Sequence, residues 1–117
     1  MEAEQRDGPR YRVFLQIHVD GIEMTANNIS SQGMQFSCPE FLIGRLEDTL
    51  NQESYDLDMQ LPMVSSPCRA SVKTMYNSTY GDEHLIGVKY VNLEGEHADH
   101  LSQYLQGLAD KNAPLVE

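Results

Sequence analysis

Between Tyr11 and Asn28 the chain alternates apolar and polar residues with a period of two, interrupted only at Asp20-Gly21, and that pattern admits little except a β-hairpin. Tyr11, Val13, Leu15, Ile17 and Val19 share one face of an extended segment; Arg12, Phe14, Gln16 and His18 share the other. Asp20-Gly21 supplies two residues that tolerate positive φ, as a two-residue hairpin turn requires. Ile22, Met24 and Ala26 then resume the alternation. Strands are therefore predicted over 11–19 and 22–28, paired antiparallel.

The same reading extends along the chain. A third strand is predicted over 33–37, with Met34 and Phe36 on one face, and three more over 55–61, 68–75 and 85–91. Pro62 and Pro67 bracket one connection, and 77–82 has the composition of a turn. The stretch EFLIGRLEDTLNQ after Pro39 reads either as a short helix or as a long loop carrying a helical turn. After Asn92 the period changes. Leu93, His97, Leu101, Tyr104 or Leu105, and Leu108 recur at intervals of three and four, which predicts an amphipathic helix over 95–109. Six short strands separated by turn signals suggest a small barrel, since closure removes exposed edges. Pattern alone leaves SH3-like and OB-type barrels open.

Length and charge narrow the partners. At 117 residues the chain suits one domain with its own core. No apolar run approaches a membrane span, and MEAEQRDGPR is too polar for a signal peptide, so a cytoplasmic protein without membrane insertion is expected. In that reducing compartment Cys38 and Cys68 are expected to stay free thiols. A net charge of −10 argues against DNA or RNA as the main partner. Yet Arg6, Arg10 and Arg12 fall within the first twelve residues, a locally positive segment able to hold a small anion.

That segment carries RDGPR, with arginines at 6 and 10, and the first hairpin is followed by NISSQG at 28–33. Each motif alone is weak; both in order at suitable spacing arise by chance on the order of a few times per thousand chains. The residue types also suit one chemistry. A guanidinium is a rigid planar fork that bonds phosphate oxygens, grips O6 and N7 of guanine bidentately, or stacks on a base. Asn28 and Ser30 can stabilise a turn or bond the polar edge of a base, and Gly33 is read as lifting the bar to positive φ in the loop.

Arg-x3-Arg followed by Asn-x-Ser-x-x-Gly resembles the signature of PilZ domains, bacterial receptors for cyclic di-GMP. PRYRVFLQIHV is similar to that family's first strand and LIGVKYVNL to its last strand before the helix, so the resemblance spans nearly the whole chain. It implies a mainly β fold, a six-stranded antiparallel split barrel with a C-terminal α-helix. The residue pattern, with Gly8 and Pro9 and no apolar periodicity at the start, divides the chain into a flexible leader over 1–10 that carries the arginine motif, a barrel domain with its helix over 11–110, and a frayed tail over 111–117. The resemblance also implies that Arg6 and Arg10 contact phosphate and guanine, that Asn28 and Ser30 contact guanine or its attached groups, and that Gly33 shapes the loop. Gln5, Arg12, Ser31 and Gln32 are second-tier candidates. Many members carry a basic residue where this chain has Gln5, and that neighbourhood influences whether one ligand molecule or an intercalated pair binds.

The expected function is a non-enzymatic receptor with no cofactor beyond its ligand, cyclic di-GMP, signalling to a protein effector in motility, biofilm or exopolysaccharide control. Ordering of the leader is the expected switch, in a monomer or weak dimer. The alternative is a ligand-independent PilZ-like adaptor in pilus or flagellar assembly; members of that sort generally lack the two motifs. A small hydrolase using carboxylates or histidines is the third reading. Asp56 and Asp58 share one strand face, but they read as solvated; His97 and His100, beside Glu96 and Asp99, read as helix surface rather than metal ligands. No catalytic or metal-binding residue is expected.

Overall fold

The computed structural model describes residues 9–111. Arg6 and Gln5 lie outside them. Six strands form a closed barrel in the order β1-β2-β3-β6-β5-β4, every neighbouring pair antiparallel. They are β1 (Tyr11–Val19), β2 (Ile22–Ile29), β3 (Gly33–Pro39), β4 (Tyr55–Met59), β5 (Cys68–Tyr80) and β6 (Glu83–Asn92), with α1 (Glu40–Leu50) between β3 and β4 and α2 (Gly95–Lys111) last. The mainly β barrel with its C-terminal helix is the expected fold.

The alternation that predicts the first hairpin is the alternation that fills the barrel. Leu15, Ile17 and Val19 of β1 and Met24, Ala26 and Ile29 of β2 are buried, as are Met34, Phe36, Leu57, Met59, Val72 and Ile86 from the other strands. Each of these side chains larger than Ala26 contributes roughly 1.5–3 kcal/mol by leaving water. Asp20 and Gly21 both take positive φ, 55° and 78°, and so close β1 onto β2 with the twist a two-residue turn demands.

The ambiguous stretch after Pro39 is a helix. Leu46 and Leu50 bury against the barrel, and the Glu40 amide donates to the Asp82 carbonyl (2.9 Å), tying its start to the β5–β6 turn. The helix α2 lays Leu101 on the core, with Tyr104, Leu105 and Leu108 partly buried beside it. It runs to Lys111, two residues past the predicted end. Among the described residues no helix is long and apolar enough to cross a membrane. Cys38 and Cys68 are buried free thiols, and burial pushes both thiols above their ordinary pKa.

The segment 77–82 corrects the sequence reading. Its polar composition suggests a turn, but β5 continues through Tyr80, and only Gly81 and Asp82 make the connection to Glu83. Pairing with β6 from Asn77↔Ile86 to Tyr80↔Glu83 supplies the ladder bonds that override local composition.

Candidate functional site

Two register shifts on neighbouring strands build the site. In β2 the shift falls between Ala26 and Asn28, so that Ala26 opposes Phe36 and Asn28 opposes Gln35. Strict alternation from Met24 and Ala26 would send Asn28 into the core. The extra residue at Asn27 turns Asn28 to the outer wall and returns Ile29 to the interior. A second shift in β1, between Arg12 and Leu15, leaves Arg12 opposite Asn28.

Arg10 lies in irregular backbone just before β1. Its Nη2 donates to Asn28 Oδ1 at 2.7 Å, so the described arginine of the first motif and the first residue of the second are in direct contact. The bond begins a chain. Asn28 Nδ2 donates to Gln35 Oε1 (3.4 Å), and Gln35 Nε2 donates to the Tyr76 hydroxyl oxygen (2.7 Å). Every link runs the same way from the cation outward, so each amide is polarised by the one before it. The described bonds use one of the five guanidinium donors of Arg10, leaving the fork able to meet an anion or a base edge.

Ser30 shapes the loop from beneath. It is only 5 % exposed, and its Oγ accepts from the amides of Gln32 (3.1 Å) and Gly33 (3.3 Å) while its own amide donates to the Gly33 carbonyl (2.9 Å). Ser31 and Gln32 are exposed at the tip. The Gln32 carbonyl accepts from the Tyr90 amide (2.9 Å), fastening the tip to β6.

Gly33 has a different physical reason from the one expected of it. Positive φ among the described glycines belongs to Gly21, Gly81 and Gly95, and not to Gly33. What Gly33 provides is clearance: a Cβ there would land on the carbonyl oxygen of Val88 in β6, with Lys89 Cα 3.1 Å away. The glycine lets β3 start flush against β6.

Sequence reasoning missed Gln35, Tyr76 and Gly87. Gln35 was legible, since it alternates with buried Met34 and Phe36. Tyr76 was not. A shift between Thr74 and Tyr76 moves it out of alternation with Lys73 and onto the same outer wall, opposite Gly87. Its ring lies where a Cβ of residue 87 would stand. The row Arg12, Asn28, Gln35, Gly87, Tyr76 thus crosses β1, β2, β3, β6 and β5 by direct cross-strand pairing. It joins a cation, two amides and an aromatic ring, a set suited to the edges and faces of a nucleobase.

Of the other polar groups singled out in the sequence, Asp56, Asp58 and His97 are engaged in structural contacts. Arg69 Nε and Nη2 bond Asp58 Oδ1 (2.8 Å) and Oδ2 (3.1 Å), and Arg69 Nη1 lies 3.9 Å from Asp56. The bond from Arg69 holds the Asp58 carboxyl below its ordinary pKa. His97 Nδ1 accepts the Arg69 amide at 3.1 Å, and the His97 carbonyl accepts from the Cys68 thiol.

No family model matches the chain, and no curated protein matches it in sequence. Solved structures do match in fold. The Bacillus subtilis inhibitor of motility, MotI/DgrA, superposes with a TM-score of 0.65 at 16 % identity, over 94 % of this chain and 54 % of its own. The Legionella protein Lpg0364 gives 0.57 at 13 % identity over 87 % and 95 %. PlzA of Borreliella burgdorferi, solved in complex with c-di-GMP, gives 0.54 at 15 % identity over 91 % and 48 %. The chain spans about half the length of the first and third of these. The barrel is PilZ-like in fold.

Proposed function

We propose that the protein is a receptor for cyclic di-GMP, with the Arg10, Asn28 and Gln35 wall as its binding surface. The observation that carries this reading is the 2.7 Å bond from Arg10 to Asn28, which draws the two motifs into one place across eighteen residues. Arg10 takes a phosphate or the O6 and N7 edge of guanine, exchanging its bond to a neutral amide for a charge-assisted one. Asn28 and Gln35 meet polar edges of the base, Tyr76 offers a ring for stacking, and Ser30 with Gly33 holds the loop in shape. Arg6 is the second guanidinium of this reading, and Gln5, Arg12, Ser31 and Gln32 are its second-tier contacts to the ligand. The likeness to PlzA, solved with c-di-GMP, supports the choice of ligand.

Binding performs no chemistry and fixes the leader against the loop. The surface so formed is read by a protein partner in the cytoplasm, in motility, biofilm or exopolysaccharide control; the fold shared with an inhibitor of motility supports the first of these. One groove offers a route for the relay. It measures about 430 Å³ and brings Pro9 of the leader and Ser31 of the loop against Leu101 and Leu105 of α2. A leader drawn toward the ligand alters the wall of this groove, and with it the packing of α2.

The test is calorimetric titration of cyclic di-GMP into the wild type and Arg10→Ala, with GMP as control. Saturable micromolar or tighter binding that Arg10→Ala lowers about a hundredfold or more is expected, since a charged hydrogen-bonding group is lost. No heat with the wild type sinks the receptor reading and leaves the ligand-independent adaptor in its place.

A further inference from the structure

Beyond the two motifs, we infer that Lys73 and Lys89 form a second anion subsite on the same wall, holding the phosphate of the ligand that Arg10 does not reach. The inference rests on the receptor reading above. Lys73 of β5 and Lys89 of β6 are directly opposed in the ladder, and both are exposed. Like charges placed directly opposite destabilise an antiparallel pair. Among the described residues no carboxylate forms an ion pair with either lysine; the described pairs are His18 with Glu23 and Arg69 with Asp56 and Asp58.

The distribution of acids makes the pairing more telling. The chain carries 18 acidic against 8 basic residues, yet the segments 9–19, 24–39, 59–81 and 84–93 contain no Asp or Glu. Those segments supply the binding wall. Along these stretches no acid stands beside either lysine; across the ladder the described carboxylate near Lys73 is Asp56 of β4, which faces Ser71 and leans to Arg69 instead.

Gly33 connects this subsite to the first. It sits opposite Lys89, which sits opposite Lys73, so one row runs Gly33, Lys89, Lys73 beside the row that holds Asn28, Gln35 and Tyr76. With no side chain at 33, bare backbone lies between the loop and the lysines. Two strand spacings put Lys73 about 10 Å from Gly33. The phosphates of a cyclic dinucleotide lie closer together than that, and the long side chains close the difference, with the Arg10 guanidinium reaching in from the Asn28 side and the two ammonium groups from β5 and β6.

The test is titration of cyclic di-GMP at low and high salt into the wild type, Arg10→Ala, the double variant Lys73→Gln with Lys89→Gln, and the charge-keeping double variant Lys73→Arg with Lys89→Arg. The Gln variant is expected to bind about tenfold more weakly with a shallower salt dependence, and the Arg variant to restore both. Without ligand, the Gln variant should melt no lower than the wild type, because its substitution relieves repulsion. Unchanged affinity and salt dependence in the Gln variant, with Arg10→Ala defective, overturns the subsite and leaves the receptor reading standing. Absence of binding to the wild type overturns both.

Discussion

Two walls of the barrel each present an arginine, and they treat its charge in opposite ways. On the β4–β5 wall, Arg69 closes on Asp58 through two bonds and leans toward Asp56, so its charge is matched within the protein. On the β2–β3 wall, Arg10 bonds a neutral amide, and Lys73 and Lys89 face each other farther round. The first wall borders a hollow of about 770 Å³ lined by residues including His18, Asp20, Asp56, Asp58 and Arg69. Neutralised charge stabilises a fold, whereas unbalanced charge on a rigid surface is available to a ligand.

The strongest way to break the comparison is to disturb the floor of the binding wall. Gly33→Ala aims a methyl group at the Val88 carbonyl, and backbone on both strands must part to admit it. A loss of about 3 kcal/mol or more in unfolding free energy is expected. Gly87→Ala meets the ring of Tyr76, which can swing away, and should cost under about 1 kcal/mol while breaking the Gln35 to Tyr76 bond. Denaturant unfolding of the pair separates the two; equal losses would mean that the close approach of β3 to β6 is not the reason for Gly33.

Next in size is the functional contrast between the arginines. Arg10→Ala should weaken cyclic di-GMP binding about a hundredfold, while Arg69→Ala, at the start of β5 and already paired with Asp58, should change it by less than about twofold. Comparable losses in both would erase the distinction between the walls and point to general electrostatic attraction instead.

How much of this was legible in the sequence follows from where alternation holds. The first hairpin, the barrel interior and α2 read directly from periodicity, because core burial enforces it over many residues. The motifs identified Arg10 and Asn28 before any contact between them was visible. What escaped sits at the register shifts. Asn28 faces outward only because of the extra residue at Asn27, and Tyr76 reaches the binding wall only because β5 slips between Thr74 and Tyr76. A bulge reverses the parity of everything beyond it, and nothing in the composition of 68–80 marks where it falls. The row Gly33, Lys89, Lys73 was hidden for a related reason, since cross-strand neighbours far apart in sequence need a known register.

The smallest effect sharpens the self-neutralised side. Asp58 titrates below its ordinary range in the folded protein because it accepts bonds from Arg69. A depressed native pKa stabilises the fold above the unfolded value, about 3.9, and that contribution disappears as pH falls through the native value. Asp58→Asn should therefore lower the melting temperature by about 1–3 °C near pH 7, a modest shift because the pair is partly exposed and screened. As pH falls through the native value the variant and wild type should converge, since both then lack the charge. Melting curves at both ends of that range check the sign, and the same variant should bind cyclic di-GMP as the wild type does. A gap that persists undiminished in acid would mean that Asp58 acts through packing rather than charge. The β4–β5 wall would then differ from the binding wall in shape alone.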